Sequence, residues 1–284
     1  MNDPPPLVPW SLDSRIVAPV CPACSACGAD LTRATWTRRG EVTERTTCVC
    51  GAESMQALLR PVRTREGWRA LGKSPEAQAQ ELMRCRRSPW YWMANYVYTE
   101  DAHWVSKGWT SANRRLPSVP YLRSVVYWLW HEWFTAWPKS RKMMLTWAVV
   151  CYILGEALLL GGRLYMFQSK REEDAAAMLW RANGVYNRMQ DFAPWYGAKR
   201  LGPGAATRLE FTNGSVIVAA PQGAHMVQSH TPAWLVCDEA QLQDEIEGAY
   251  HQALPAVERI TLIGSADFGW FWQTFLPDKL GKEK

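Results

Sequence analysis

An α/β fold with a mainly parallel sheet flanked by helices is the architecture that this sequence predicts. Short apolar runs alternate with longer helical segments along residues 134–265, which is the order that builds parallel sheets with helices on both faces. Hydrophobic residues make up 48% of the 284 residues and charged residues 21%. The chain is therefore globular, and its length fits one principal domain with a small appendage.

The elements follow one another in a definite order. The predicted strands are short apolar runs, and they cover residues 134–138, 162–168, 208–219 as a hairpin, 233–237 and 259–265. The predicted helices cover residues 145–160, 169–190 and 245–254. Ser169 and Glu172 fit a capping box at the start of the second helix. Asn213 and Gly214 are the pair typical of a two-residue hairpin turn.

The stretch from residue 233 to residue 241 is the most informative in the chain. Its apolar run ends in two adjacent carboxylates, Asp238 and Glu239. A buried parallel strand delivers the residues after it to the carboxyl edge of the sheet, where nucleotides bind. The pattern indicates a Walker B strand of a P-loop NTPase, with Asp238 for Mg²⁺ and Glu239 for the attacking water. The alternative interpretation is an acidic surface turn after a core strand.

A phosphate-binding loop is expected upstream, but the usual Gly-x4-Gly-Lys-Ser/Thr pattern does not occur in the sequence. The nearest candidate lies between the first strand and the buried helix, and it contains Lys139, Ser140, Arg141, Lys142, Met143, Met144, Leu145 and Thr146. We expect this loop to bind nucleotide and Thr146 to be the second Mg²⁺ ligand, because the amides of a helix N-terminus favour an anion. Leu145 occupies the usual lysine position, so the positive charge must come from Lys139, Arg141 or Lys142. A basic turn that caps a buried helix is the alternative.

These motifs resemble those of the large terminase subunits of tailed bacteriophages, the motors that pump DNA into empty capsids. Some members of that family have a loop of the form Lys-Ser-Arg-Gln-Met-x-x-Ser/Thr-Trp, and residues 139–147 match it apart from Lys142. Further segments resemble family motifs in the expected order, namely residues 95–101, 120–123, 211–215, 233–241 and 261–266. The resemblance spans residues 88–275.

The resemblance implies an ATPase that drives double-stranded DNA into a procapsid, with ATP and Mg²⁺ as cofactors. It implies that Lys139 and Arg141 contact phosphates, that Arg141 and Glu239 are catalytic, and that Ser265 couples hydrolysis to DNA movement. The implied partners are double-stranded DNA, the phage portal and the small terminase subunit, with the chain in a homo-oligomeric ring. Two alternatives stay open: a non-catalytic DNA- or capsid-binding module with a degenerate P-loop, and a helicase-like DNA translocase.

The sequence departs from the family at several points. Residues 227–229 contain no arginine, where family members often carry one, and Met144 replaces a loop glycine. Full-length terminases continue into a nuclease domain, whereas eighteen residues follow Ala266 here, and an independent domain needs about 50. We therefore expect residues 90–284 to form the ATPase domain, without nuclease activity.

Residues 1–60 are predicted to form a zinc-ribbon-like module. The chain has eight cysteines. Because we expect no secretory signal from its first twenty residues, these cysteines favour metal binding over disulfides. Two knuckles typical of a tetrahedral Zn²⁺ site are formed by Cys24, Cys27, Cys48 and Cys50, with Cys21 as an alternative ligand. Residues 61–89 are expected to be a linker with a short helix over residues 75–84. The remaining cysteines are expected to be buried small side chains: Cys85, Cys151 and Cys237.

Charge and hydropathy bear on partners and location. The net charge is +5, and arginines cluster within residues 60–69, 84–87 and 114–115. Such clusters suit DNA phosphate contacts that read no sequence, and each also fits a solvated surface. The longest apolar segment, residues 145–160, contains Glu156 and is shorter than the roughly 20 residues that cross a bilayer. Together with the resemblance, this predicts a protein of the bacterial host cytoplasm without a membrane partner.

Overall fold

The computed structural model describes residues 71–100, 105–108, 110–117, 119–140, 143–265 and 270–275, together with Gly67. Several predicted site residues lie outside this part of the chain, namely Cys21, Cys24, Cys27, Cys48, Cys50, Arg141 and Lys142. Among the described residues, no group of three or more histidine, cysteine, aspartate or glutamate side chains is arranged to hold a metal ion. The predicted Zn²⁺ site therefore stays a prediction.

The described residues form eight strands and eight α-helices. The strands are β1 (Tyr98–Glu100), β2 (Asn113–Arg115), β3 (Phe134–Pro138), β4 (Leu164–Ser169), β5 (Arg208–Glu210), β6 (Val216–Pro221), β7 (Trp234–Cys237) and β8 (Arg259–Gly264). The helices are α1 (Pro75–Arg87), α2 (Pro89–Tyr96), α3 (Pro120–His131), α4 (Leu145–Leu159), α5 (Glu172–Gln190), α6 (Ala224–His230), α7 (Ile246–Ala253) and α8 (Trp270–Phe275). Within these residues, no helix is long and apolar enough to cross a membrane.

A six-stranded sheet in the order β3-β8-β7-β4-β6-β5 organises the domain. Neighbouring strands are parallel except at the β5–β6 pair, which is antiparallel. The predicted α/β fold with a mostly parallel sheet flanked by helices is therefore confirmed. The last strand, β8, is inserted between β3 and β7, so the segments that follow these three strands emerge side by side at one edge of the sheet.

The alternation of side chains along the strands creates a core on each face of the sheet. In β7, Trp234 and Val236 belong to the core that α4 and α5 cover, whereas Leu235 and Cys237 belong to the core beneath α6, α7 and α8. Helix α4 is apolar around most of its circumference and is buried between the sheet, α2, α3 and α5. Its first turn is thereby fixed at the carboxyl edge of the sheet.

The helix predicted over residues 75–84 is present as α1 and extends to Arg87. It is joined to α2 through Glu81, which is only 1% exposed. The hydroxyls of Tyr91 and Tyr96 donate to Glu81 Oε1 at 2.7 and 3.0 Å, and Arg84 pairs with the other carboxylate oxygen at 3.4 Å. A buried carboxylate with these partners holds α1 firmly against the domain.

The prediction that three cysteines are buried is confirmed, for Cys85, Cys151 and Cys237. Burial raises the pKa of the Cys151 and Cys237 thiols well above the usual value. Because the thiolate is the reactive form, these two side chains act as small apolar residues of the core.

The β5–β6 hairpin is present, but the predicted two-residue turn is wrong. Gly214 has a φ of 80°, whereas Asn213 has no positive φ, and the predicted turn type requires both. The Asn213 amide instead donates to the carbonyls of Ala157 and Leu160 at 2.9 and 3.3 Å. The hairpin loop therefore provides hydrogen-bond donors to the free carbonyls at the end of α4. These tertiary hydrogen bonds outweigh the preference of Asn213 for a two-residue turn.

Candidate nucleotide site

The centre of the candidate site is a hydrogen bond between Thr146, the second residue of α4, and Asp238, the first residue after β7. Thr146 Oγ1 donates to Asp238 Oδ2 at 3.0 Å, across 92 positions of sequence. Both side chains are half-buried. A hydroxyl and a carboxylate are oxygen ligands of the kind that Mg²⁺ takes when it binds together with substrate phosphates. The structure thus brings together the two residues that the sequence predicts as Mg²⁺ ligands.

The Asp238 backbone is held in place by three hydrogen bonds with two neighbouring segments, β4 and the turn that follows Glu239. Its N–H donates to Gln168 O at 2.9 Å and continues the ladder between β7 and β4. Its carbonyl accepts from Gln243 Nε2 at 2.9 Å and from Ser169 Oγ at 3.4 Å. The predicted capping box is therefore wrong. Ser169 lies in β4, and its hydroxyl is directed to Asp238 instead of to the start of α5. The N-cap residue of α5 is Arg171, whose side chain makes no capping hydrogen bond.

Glu239 follows Asp238 in a left-handed conformation with a φ of 52°. Its N–H donates to Asp238 Oδ1 at 3.0 Å, and the chain then enters a 3₁₀ turn over Ala240–Leu242. The Glu239 side chain is exposed, so water reaches its carboxylate. A non-glycine residue with this φ costs about 1–3 kcal/mol, and such strain clusters at functional sites.

The described part of the candidate loop places its residues in different environments. Lys139 is half-buried, its N–H donates to Gly264 O at 2.8 Å, and Ser140 and Met143 are exposed. Leu145 is only 5% exposed and lies in the core. Its side chain therefore cannot replace the usual lysine, and any contact with phosphate would come from its backbone N–H.

Met144 is the N-cap residue of α4 and has a φ of 54°, without a side-chain cap for the helix. Helix N-terminal amides that lack a side-chain acceptor are available to an anion or to water. Met144 adopts a conformation that glycine would adopt without strain.

Three residues that the sequence interpretation did not assign also lie at this edge. Tyr121 Oη donates to Met143 O at 2.9 Å and connects α3 to the loop. Gln241 Oε1 accepts from the N–H of the half-buried Ser265 at 3.0 Å. Arg171 follows β4; its pKa is raised first by the hydrogen bond with Asp174 and also by the charge of Glu239. Only the strand order, which is a non-local property, identifies these neighbours.

Two of the three predicted arginine clusters fall within the described residues. Arg84, Arg86 and Arg87 form the last turn of α1, and Arg114 and Arg115 lie on β2. Arg86, Arg87 and Arg114 are exposed. These three side chains are therefore on the surface, as the predicted DNA phosphate contacts require.

No family model matches the chain, and no curated protein matches it. Among solved structures, the chain is similar to a mutant of the ATPase domain of the Thermus phage P74-26 large terminase. The identity is 12% over 62% of this chain and 74% of that chain, and the TM-score is 0.42. It is also similar to the large terminase of bacteriophage HK97, with 15% identity over 55% of this chain and 34% of that chain and a TM-score of 0.40. Likeness at these values carries no inference about residues or activity.

Proposed function

We propose that this chain is an ATP-hydrolysing motor domain of the phage large-terminase type, built on a P-loop NTPase fold. The observation that carries the proposal is the 3.0 Å hydrogen bond between Thr146 Oγ1 and Asp238 Oδ2. It joins the two segments that match the loop and the Walker B strand in sequence. In P-loop NTPases, a loop hydroxyl and a Walker B aspartate hold the Mg²⁺ that bridges the terminal phosphates.

The donor set at Thr146 and Asp238 fits Mg²⁺, because both groups offer oxygen and a half-buried carboxylate supplies negative charge. When bound, the ion neutralises charge that develops on the transferred phosphoryl group. Asp238 is oriented for this role, since its two carboxylate oxygens are directed to Thr146 and to the N–H of Glu239. Lys139 and Arg141 are proposed to supply the positive charge that the loop lysine supplies elsewhere.

Glu239 is proposed as the base that orients and deprotonates the attacking water. Its carboxylate is exposed, whereas its backbone is fixed by the hydrogen bond to Asp238 and by the buried Ala240 that follows. This combination places an accessible carboxylate on a rigid support beside the candidate Mg²⁺ ligands, as general-base catalysis requires.

The motor assignment rests on the order of the sequence motifs, of which the segment around Ser265 is the last. On this proposal, Ser265 couples hydrolysis to movement of double-stranded DNA, and the partners are the portal and the small subunit around a homo-oligomeric ring. Residues 1–60 are proposed to bind Zn²⁺ through Cys24, Cys27, Cys48 and Cys50, residues 61–89 to connect them to the ATPase, and the exposed arginines to contact DNA phosphates. The site of action would be the bacterial host cytoplasm.

One observation favours the alternative of a non-catalytic DNA- or capsid-binding module. Leu145 takes the position of the usual lysine and is buried, so the loop lacks the side chain that contacts the terminal phosphates in most P-loop enzymes. The two candidates differ in whether bound ATP is hydrolysed.

ATP hydrolysis by the purified chain, with and without double-stranded DNA, tests the proposal. We expect hydrolysis that DNA accelerates, and a kcat that falls about 10²- to 10⁴-fold in Glu239→Gln, which keeps the shape of the side chain but removes the base. Glu247→Gln, an exposed change on α7, is the matched control and should hydrolyse ATP at the wild-type rate. Nucleotide binding without hydrolysis by the wild-type chain would favour the non-catalytic module.

A further inference from the structure

The peptide group between Gly264 and Ser265 is held from both sides by segments of the candidate site. Its carbonyl accepts from Lys139 N, at the start of the loop, at 2.8 Å. Its N–H donates to Gln241 Oε1, in the turn that begins at Glu239, at 3.0 Å. Because the carbonyl and the N–H of a trans peptide point in opposite directions, this one rigid group spans the space between the two segments.

The strand register explains why a side chain, and not a backbone carbonyl, accepts the hydrogen bond from the N–H of Ser265. Pro138 is paired with Gly264, so β3 accompanies β8 to its end. On the other side, the pairing of β7 with β8 ends at Cys237 and Leu262, and the chain turns away at Glu239. Backbone carbonyls of β7 therefore do not reach Ser265, and the Gln241 side chain takes the place of the missing ladder partner.

Gly264 provides the room for this contact. A Cβ atom at position 264 would lie 2.9 Å from Gln241 Oε1 and 2.6 Å from a ring carbon of Phe271, closer than real Cβ atoms approach. The absence of a side chain thus allows Gln241 and Phe271 to pack directly against the backbone at the end of β8.

The turn that carries Gln241 is rigid and includes Glu239. Leu242 N donates to Glu239 O at 2.8 Å, Ala240 is fully buried, and the side chain of the buried Gln243 donates to Asp238 O at 2.9 Å. Glu239 and Gln241 therefore belong to one hydrogen-bonded turn.

We propose that Gln241 is a positioning residue that links the phosphate loop at Lys139 to the base Glu239 through the Gly264–Ser265 peptide group. This inference rests on the proposed function, because it takes Glu239 as the base and the loop as the phosphate-binding segment. Gln241 then fixes the position of Glu239 relative to that loop. A shift of Lys139 when nucleotide binds or leaves is passed to Glu239 through two hydrogen bonds.

Three variants test the link: Gln241→Met, which has similar length but no acceptor oxygen; Gln241→Glu, which keeps an acceptor; and Gln252→Met, an exposed control on α7. For Gln241→Met, we expect kcat for ATP to fall about tenfold with KM changed less than about twofold, since the ground-state contacts of the nucleotide are intact. Gln241→Glu should recover most of kcat, and Gln252→Met should match the wild type. Amide hydrogen exchange of residues 259–265 should rise in Gln241→Met and in neither of the other variants.

The two measurements separate failure of the link from failure of the proposed function. If wild type hydrolyses ATP and Gln241→Met keeps the wild-type kcat, the positioning role is wrong. If wild type does not hydrolyse ATP, the proposed function is wrong, and the role of Gln241 in positioning a catalytic base is wrong with it. In either case, unchanged exchange of residues 259–265 in Gln241→Met would show that the side chain does not hold Ser265.

Discussion

Charged side chains at the two edges of the parallel sheet differ in burial and in pairing. At the amino edge, Arg259 at the start of β8 pairs with Glu156 of α4 at 2.6 Å and lies 4.3 Å over the ring of Trp234. The two charged side chains are 18% and 12% exposed. Burial opposes the charge of Arg259, but the interactions with Glu156 and Tyr152 together outweigh this effect, and the pKa of Arg259 is raised. These two charges are paired with each other and enclosed.

At the carboxyl edge, Asp238 is half-buried and Glu239 is exposed. Three non-glycine residues in the described part of the chain have a positive φ, and two of them, Met144 and Glu239, lie at this edge. Accessible carboxylates combined with a strained backbone are typical of a binding site, whereas a buried and neutralised ion pair is typical of a structural contact. The comparison predicts that changes at the amino edge affect stability, and changes at the carboxyl edge affect activity.

The largest stability effect is expected from Arg259→Met. The change leaves the Glu156 carboxylate buried without its partner, which typically costs 3–5 kcal/mol, so we expect a loss of about 3–5 kcal/mol in the free energy of unfolding. Urea denaturation followed by tryptophan fluorescence measures this loss. The activity per folded molecule should be little changed, because the ion pair is at the opposite edge from the candidate site.

The double variant Glu156→Met with Arg259→Met is the control for this prediction. Removing both charges avoids the unpaired carboxylate, and the stability should return to within about 1–2 kcal/mol of the wild type. A double variant as unstable as Arg259→Met would show that packing of the Arg259 side chain over Trp234, rather than the ion pair, stabilises this edge.

At the carboxyl edge, Asp238→Asn should have the converse effect. The amide keeps the shape of the side chain but removes the charge that would hold Mg²⁺, so we expect kcat/KM for ATP hydrolysis to fall about 100-fold or more, with stability changed by less than about 1 kcal/mol. Steady-state kinetics at several Mg²⁺ concentrations measure the effect. Asp244→Asn, at an exposed position near Lys170, is the matched control; an equal loss in both variants would contradict a specific role for Asp238.

Sequence patterns predicted those residues of the carboxyl edge that lie at a recognisable point of the local sequence, such as the end of an apolar run. Asp238 and Glu239 terminate an apolar run, Thr146 opens a buried helix, and the carboxyl ends of parallel strands necessarily share an edge. Gln241 lies at no such point. Its contact with Ser265 exists because β8 lies between β3 and β7, and that order results from pairing between strands distant in sequence.

The two local predictions that are wrong have the same physical cause. Asn213 was expected to occupy a two-residue turn and Ser169 to cap α5, which are the usual local roles of these residue types. In the structure, each side chain instead makes a hydrogen bond to a distant segment, Asn213 to the end of α4 and Ser169 to Asp238. Local propensities of short polar side chains are weak enough for tertiary hydrogen bonds to outweigh them.

The smallest expected effect, and the sharpest test of the contrast, comes from Met144→Gly. Glycine adopts the observed φ of 54° without strain. The backbone entropy of glycine and the lost packing of the Met144 side chain oppose this gain. We expect a net increase of about 0.5–1 kcal/mol in the free energy of unfolding. Met143→Gly is the matched control, because Met143 is exposed and has no positive φ, and it should be neutral or destabilising. Equal effects of the two glycines on urea denaturation would contradict strain at Met144.

The rate of ATP hydrolysis by Met144→Gly then shows whether the backbone strain at Met144 contributes to the function of the loop. A variant that is more stable and keeps the wild-type kcat would show that the left-handed conformation only follows from the burial of Leu145 in the core. A variant that is more stable but slower would assign the strain to the function of the loop, because a relaxed backbone would hold the amides at the start of α4 less firmly toward the phosphates. We expect the second result, with kcat lowered about two- to fivefold, since strain at this edge occurs both in the loop and at Glu239.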